Sequence, residues 1–208
     1  DVLTDLIAQT LFSQSASEQG FNPTDAEVQQ KMDQYAEGIG GLDALQSWMS
    51  TNFYDQDSFR VAVSRDMAVI WMRNMLLDQV SDTAEQIHAR QILVENENEA
   101  IGIQRQLEAG TEFKTLAFQY DPETGGDLGW FPRGYLFQPD VENAAFSLQP
   151  GQYSGIISTN YGFHLVELIE SDPQRPLSQE ALIFMQRNSL EAWLDMRLTQ
   201  STIEILVP

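Results

Sequence analysis

Apolar residues follow one spacing at both ends of this chain and another in its middle. From Leu3 to Val80, and again from Leu182 to Leu198, they recur at three- and four-residue steps, the signature of amphipathic helices. Between about Ser81 and Asp172, short alternating runs are interleaved with short helical ones. The last helix has no sheet of its own to cover, so its apolar face is expected to pack against the N-terminal helices. The fold class that follows is α+β. A discontinuous all-helical domain, residues 1–83 and 173–208, carries an inserted mixed domain, residues 84–172.

Local signals mark the helices. Residues 3–19 read as a first helix with Leu3, Ile7, Leu11 and Ala8 or Phe12 inward, stopped by Gly20. Thr24 and Glu27 have the capping-box spacing and open a second helix, with Val28, Met32, Tyr35 and Ile39 on its buried face. A short helix is expected around Leu42, Leu45, Trp48 and Met49. Asp55 to Ser58 offer caps for a longer one, striped by Phe59, Val63, Met67, Ile70, Met75, Leu76 and Val80 and thickened by Trp71. Such a stripe is core, or else an adaptable groove in which Trp48, Met49, Trp71 and Met72 hold a partner. Ser178 is placed to cap the final helix, which carries Leu182, Met185, Leu190, Trp193, Leu194 and Leu198. Residues 203–208 read as a short strand or an extended tail.

In the middle segment, Ile87 to Val94 reads as a strand, and Glu97–Ala109 and Glu112–Tyr120 as helices. A glycine-rich turn, Gly125 to Gly129, leads into Trp130-Phe131. Pro139 to Leu148 is helical, and strands follow near Tyr153–Ser158 and Gly162–Glu170. Asp172-Pro173 and Arg175-Pro176 read as chain breaks. The order is β-α-α-β-α-β-β, with a mainly antiparallel sheet.

Charge and composition remove several functions. The chain has 31 acidic against 11 basic residues, a formal charge of -20, which argues strongly against a nucleic-acid or anionic-lipid partner, because phosphate binding needs a basic face. Lys31 and Lys114 are its lysines. It has no cysteine, which excludes disulfides, thiolate nucleophiles and cysteine-ligated zinc. No apolar run approaches the ~20 residues of a membrane helix. The chain opens on Asp1-Val2-Leu3-Thr4 with no signal-peptide pattern, as a trimmed chain also would. G-x-S-x-G and H-E-x-x-H are absent, and His88 and His164 alone do not make a zinc site.

Four blocks in order resemble the parvulin-type peptidyl-prolyl isomerases over about ninety residues. They are His88-Ala89-Arg90-Gln91-Ile92-Leu93-Val94; Gly125-Gly126-Asp127-Leu128-Gly129-Trp130-Phe131 with Arg133-Gly134; Asn143 to Leu148 with Pro150-Gly151 and Ser154; and Thr159 with Tyr161-Gly162-Phe163-His164. The flanks are similar, more weakly, to SurA-like and PrsA-like foldases, through Asn22 to Val28 and Ser58-Phe59-Arg60. The resemblance implies a parvulin domain within a helical chaperone domain. It further implies isomerisation of X-Pro bonds in unfolded or proline-containing client polypeptides, and an extracytoplasmic location in the cell envelope or outside the cell. A homodimer formed by exchange of terminal helices is a further hypothesis.

Carried over by position, the resemblance makes Asp121, His164, Gln91 and Thr159 the catalytic set. Leu128, Leu136, Val141, Phe146 and Tyr161 become the substrate-binding set, with no metal and no cofactor. Gln91 stands where the family usually has histidine. Glutamine donates and accepts hydrogen bonds but carries no charge. By strand alternation His88 falls on the opposite face from Gln91. The loop from Tyr120 to Gly125 is shorter than the family's usual form. Two readings therefore stand at this point: an isomerase coupled to chaperone binding, and a non-catalytic chaperone whose parvulin domain is weak or inactive because of Gln91.

Overall fold

A computed structural model describes residues 2–204. The chain divides into two compact units, residues 1–80 with 186–208, and residues 81–185.

The first unit is helical: α1 (Val2–Glu18), α2 (Asp25–Ile39), α3 (Leu42–Thr51), α4 (Gln56–Asp78) and the later part of α8 (Gln179–Gln200). Two capping boxes start its helices where the sequence places them. The Glu27 amide donates to Thr24 Oγ1 at 3.3 Å, and the Thr24 amide donates back to the Glu27 carboxylate at 2.7 Å. At α4 the Ser58 amide donates to Asp55 Oδ1 at 2.7 Å, while the Asp55 amide donates to Ser58 Oγ at 3.0 Å. These bonds satisfy amides that the first helical turn leaves without partners.

The buried faces differ in part from the expected stripes. In α1 it is Leu11, Phe12 and Ala16 that are buried, while Leu3 is exposed. In α2, Val28 and Met32 are buried as expected, but Ile39 is exposed and Ala36 takes the inner position. In α4 the buried residues are Phe59, Val63, Ala68, Met72 and Leu76, and Ile70 is exposed. The cause is that α4 serves two clusters. Phe59 and Val63 join Val28, Met32 and Leu45; further along, Ala68, Met72 and Leu76 join Phe12 and Ala16, with Leu190, Trp193 and Leu194 packed against them. A single 3.6-residue stripe cannot describe a helix whose neighbours change side along its length. The same division separates Trp48 and Met49 from Trp71 and Met72, so the single groove expected from those four does not form. Met72 is 2% exposed and is core.

The second unit contains β1 (Thr83–Val94), α5 (Glu97–Glu108), α6 (Phe113–Tyr120), β2 (Asp127–Pro132), α7 (Pro139–Phe146), β3 (Ile157–Thr159) and β4 (Gly162–Pro176). The four strands make one antiparallel sheet in the order β2-β1-β4-β3. Alternation sends Ile92, Val94 and Leu165 to one face, where they pack with α5 and α6. Ile87, Ala89, Val166 and Leu168 go to the other, where they pack with Phe131 and with Val141 and Ala145 of α7.

Two strand limits need correction. The segment expected as a strand near Tyr153–Ser158 is mostly irregular; Tyr153 makes one isolated bridge to Glu167, and β3 begins at Ile157. In contrast, β4 runs through both expected breaks to Pro176. Its register steps from Asp172 opposite Gln86 to Arg175 opposite Ala84, so one extra residue is bulged out around Pro173. A bulge is where a strand tolerates a residue with no amide hydrogen. Residues 201–204 follow α8 without regular structure, and the rest of the expected 203–208 segment lies outside the described residues. Among the described residues no helix is long and apolar enough to cross a membrane.

Candidate active site

Gln91 on β1 and His164 on β4 share the sheet face that α7 covers. The register sets Gln91 opposite Val166 and Leu93 opposite His164, so the two are diagonal neighbours within side-chain reach. His164 Nδ1 lies 2.9 Å from Gln91 Oε1. An amide oxygen only accepts, so Nδ1 carries the proton and donates. Nε2 lies 2.8 Å from Thr159 Oγ1 and accepts the hydroxyl proton, while the Tyr161 amide donates to the same hydroxyl oxygen at 3.1 Å. Donors thus run one way, from Tyr161 through Thr159 and His164 to Gln91. His164 is 1% exposed, and burial pushes its pKa below the ordinary imidazole value, so the ring is neutral at neutral pH. His88 lies on the other face, where it meets Asp127 Oδ1 at 2.8 Å and stacks on Trp130.

Asp121 ends α6 and organises the loop that follows. Its carboxylate accepts from the amides of Glu123 (3.1 Å), Thr124 (3.2 Å) and Gly126 (3.2 Å), and from the Thr124 hydroxyl. The Thr124 side chain, followed by these amides, holds its pKa below the usual aspartate value, so it is an anion and not a proton donor. The loop is docked on Gln91 itself. The Gln91 amide donates to the Gly126 carbonyl at 2.8 Å, and a Cβ at Gly126 would lie 1.8 Å from the Gln91 carbonyl oxygen. Only glycine fits there, and its φ of +67° calls for glycine as well. Asp121 is therefore tied to Gln91 through the loop backbone.

The expected substrate-binding residues fall into two places. Tyr161, with Thr159, lines an open cleft of about 530 Å³ between the β3–β4 turn and the segment Phe137 to Asp140. Phe137, 79% exposed, meets Tyr161 edge to face at 6.0 Å and forms one side of it. Leu128, Leu136 and Phe146 pack instead, half-buried, against the α7-side core. Leu128 is the extra residue of a bulge between β1 and β2, which frees it from strand pairing. Val141 is 2% exposed, so it lies beneath this apolar surface and not on it. Arg133 places its guanidinium 4.1 Å from the centre of the Phe146 ring.

Glu142 and Phe137 were missed in the sequence. The Glu142 side chain is buried, and its two oxygens accept from the amides of Gly134 (2.7 Å) and Leu136 (2.9 Å). It fixes the segment that carries Leu136 and Phe137 against α7. In a chain with 31 acidic residues nothing distinguishes this one by type, and only its burial reveals it.

Known proteins resemble the chain in sequence and in fold. Residues 79–170 match the rotamase family described as the PPIC-type PPIase domain. The foldase protein PrsA of Geobacillus sp. (strain WCH70) is 28% identical over 218 residues, covering 100% of this chain and 76% of that protein. The chaperone SurA of Burkholderia thailandensis is 33% identical over 159 residues, covering 71% of this chain and 34% of its own length. Across the first three PrsA relatives, the chain spans between 55% and 76% of their length. The crystal structure of the peptidylprolyl isomerase PrsA from Bacillus anthracis is 25% identical, covers 99% of both chains and has a TM-score of 0.55.

Proposed function

We propose that this chain, whose residues 79–170 match the PPIC-type (parvulin) PPIase domain and whose relatives include PrsA and SurA, isomerises X-Pro bonds in client polypeptides that its helical unit also binds. The observation that carries this reading is the one-way hydrogen-bonded row through Thr159, His164 and Gln91, beside a cleft and an apolar surface.

The barrier to X-Pro rotation, about 18–20 kcal/mol, comes from amide conjugation. Rotation makes and breaks no σ bond, so a site lowers it by favouring the twisted amide over the planar one. In the twisted form the carbonyl is less negative and the nitrogen more basic. Leu128, Leu136 and Phe146 offer the proline ring an apolar surface, with Val141 supporting it from below. Tyr161 and Phe137 hold the flanking chain. His164 has both ring nitrogens engaged, so it acts by fixing Thr159 and Gln91 and not by moving a proton. Asp121 acts through the loop, by holding the backbone of Gln91. Glutamine suffices in this row because the bond asked of position 91 is an acceptor for a neutral imidazole. That supports the catalytic reading over the non-catalytic one.

We further assign the chain to an extracytoplasmic compartment, on the strength of its resemblance to envelope foldases; fractionation of cells that produce the native protein tests it, and recovery in the cytosol would remove it. A homodimer through the terminal helices is tested by sedimentation, where a monomeric mass at working concentration would count against it.

The decisive experiment is NMR exchange spectroscopy on X-Pro peptides with the native chain, His164→Ala and Phe146→Ala. Acceleration by the native chain that both substitutions abolish is the expected result. No acceleration by the native chain, with activity appearing in Gln91→His, would transfer the function to client binding alone.

A further inference from the structure

Phe53 has a backbone that folding alone does not explain. Among the described residues it is the one non-glycine with positive φ, at 61°, and its side chain is 97% exposed. It follows the last turn of α3, where the Tyr54 amide donates to the Met49 carbonyl at 2.9 Å, the closure that ordinarily takes glycine at this position. A bulky residue there is strained, and exposing its ring adds apolar surface to water. Glycine or asparagine would close α3 without either cost.

Its surroundings offer a use. Tyr54, the next residue, stacks on Trp48 at 5.9 Å and meets Phe59 edge to face at 5.8 Å. Tyr54 also lines an open cleft of about 380 Å³ whose apolar wall includes Met32, Leu45 and Met49. Leu42, 69% exposed, stands at its edge. Asp33 and Asp55 are its charged lining residues, and no basic residue lines it. Asp55 remains ionised, because the Ser58 hydroxyl and amide hold its pKa below the usual aspartate value.

We infer that this α3–α4 corner docks an extended client segment carrying a bulky apolar side chain next to an arginine or lysine. The inference rests on the foldase reading and names where, and for what chemistry, the helical unit holds its client. The apolar side chain enters the cleft, Phe53 covers the segment from outside, and the basic residue meets Asp33 and Asp55. Charge decides against a second copy of the chain as occupant. Twofold pairing at this corner would set Asp33 and Asp55 against their own copies in a molecule of charge -20. Met and aromatic side chains can adjust to different apolar groups, as a foldase client site requires.

The test uses the full chain with 13C-methyl-labelled methionine. The probe is a fluorescein-tagged glycine–serine peptide with a Leu-Arg-Phe-Arg centre, and its control has glutamate in place of arginine. The arginine peptide is expected to shift the Met32 and Met49 methyls. Phe53→Gly, which folds readily because glycine suits this φ, and Leu42→Ser are each expected to weaken binding about tenfold. Asp33→Asn is expected to weaken the arginine peptide and not the control. Isomerisation of a short X-Pro peptide should be the same in all three variants. Equal affinity for both peptides, shifts confined to other methionines, or unchanged binding by Phe53→Gly would each overturn the inference. So would self-association that Phe53→Gly removes, since the corner would then be a contact between copies. Peptide binding with a silent isomerase would remove the isomerase reading and leave this one standing; isomerase activity without binding at the corner would do the opposite.

Discussion

The amide oxygen of Gln91 and Nδ1 of His164 lie 2.9 Å apart across β1 and β4, and this pair fixes the tautomer of a buried imidazole. Replacing Gln91 by alanine leaves the Nδ1 proton without its acceptor at a site that is 1% exposed. A loss of about 1–3 kcal/mol in unfolding free energy is expected, read from urea denaturation. Gln91→Glu puts a carboxylate against the same nitrogen, so the His164 pKa should rise above its native value in an NMR titration of the ring. If the two titration curves coincide, the hydrogen bond is not as described.

The neutral state of His164 sets the direction of its pH dependence. Burial lowers its folded pKa, so on acidification the unfolded chain takes up the proton first. Stability should therefore be unaffected by this group above the ordinary imidazole pKa and should fall as pH drops below it. The loss should continue until the folded-state pKa is passed. His164→Gln should flatten that part of a denaturation-versus-pH curve. An unchanged slope would assign the proton uptake elsewhere.

Gly126 and Gly129 share positive φ values, 67° and 68°, but differ in surroundings. An added Cβ at Gly126 meets the Gln91 carbonyl oxygen at 1.8 Å, whereas at Gly129 it meets nothing within 4 Å. Gly129→Ala should cost about 1–2 kcal/mol from the backbone alone. Gly126→Ala should cost about 2–4 kcal/mol and displace Gln91, so isomerase activity should fall more steeply than stability. Equal effects at the two positions would contradict the docked loop.

Glu142 holds the amides of Gly134 and Leu136, and through them Leu136 and Phe137. Glu142→Gln keeps the shape but sets an NH2 group against one backbone N–H. A stability loss of about 1–3 kcal/mol is expected, with KM for a proline peptide raised more than kcat is lowered. A fall in kcat at constant KM would mean that the segment does not position substrate.

Much of this was legible in the sequence wherever a local pattern decides the structure. Thr24 with Glu27, and Asp55 with Ser58, are marked by short-range chemistry that packing does not override. Alternation along β1 put Gln91 and His88 on opposite faces, and the family resemblance supplied His164 as the partner. What escaped was set by distant neighbours. The buried face of α4 turns because different helices cover its two halves, which moves Met72 inside and Ile70 out. Pro173 reads as a stop, yet a bulge against Ala84 and Gln86 carries the strand past it. Glu142 and Phe137 matter through the side of the molecule they occupy, and a residue's type does not reveal that.

Thr83 pairs with Pro176, and the Leu177 amide donates to the Asp82 carbonyl at 2.8 Å, so the sheet begins and ends at one point. For the helical unit this amounts to a clasp. Bringing α8 to α1 and α4 across a flexible stretch of some hundred residues would cost roughly 4 kcal/mol of chain entropy. Once β1 and β4 are zipped, that stretch is no longer than a short turn, and most of the cost is gone. The expected order of assembly is the sheet first, with the two ends of the chain meeting afterwards. Pulse-labelled hydrogen exchange during refolding should find amides of β1 protected before those of α8, and the reverse order would undo the clasp.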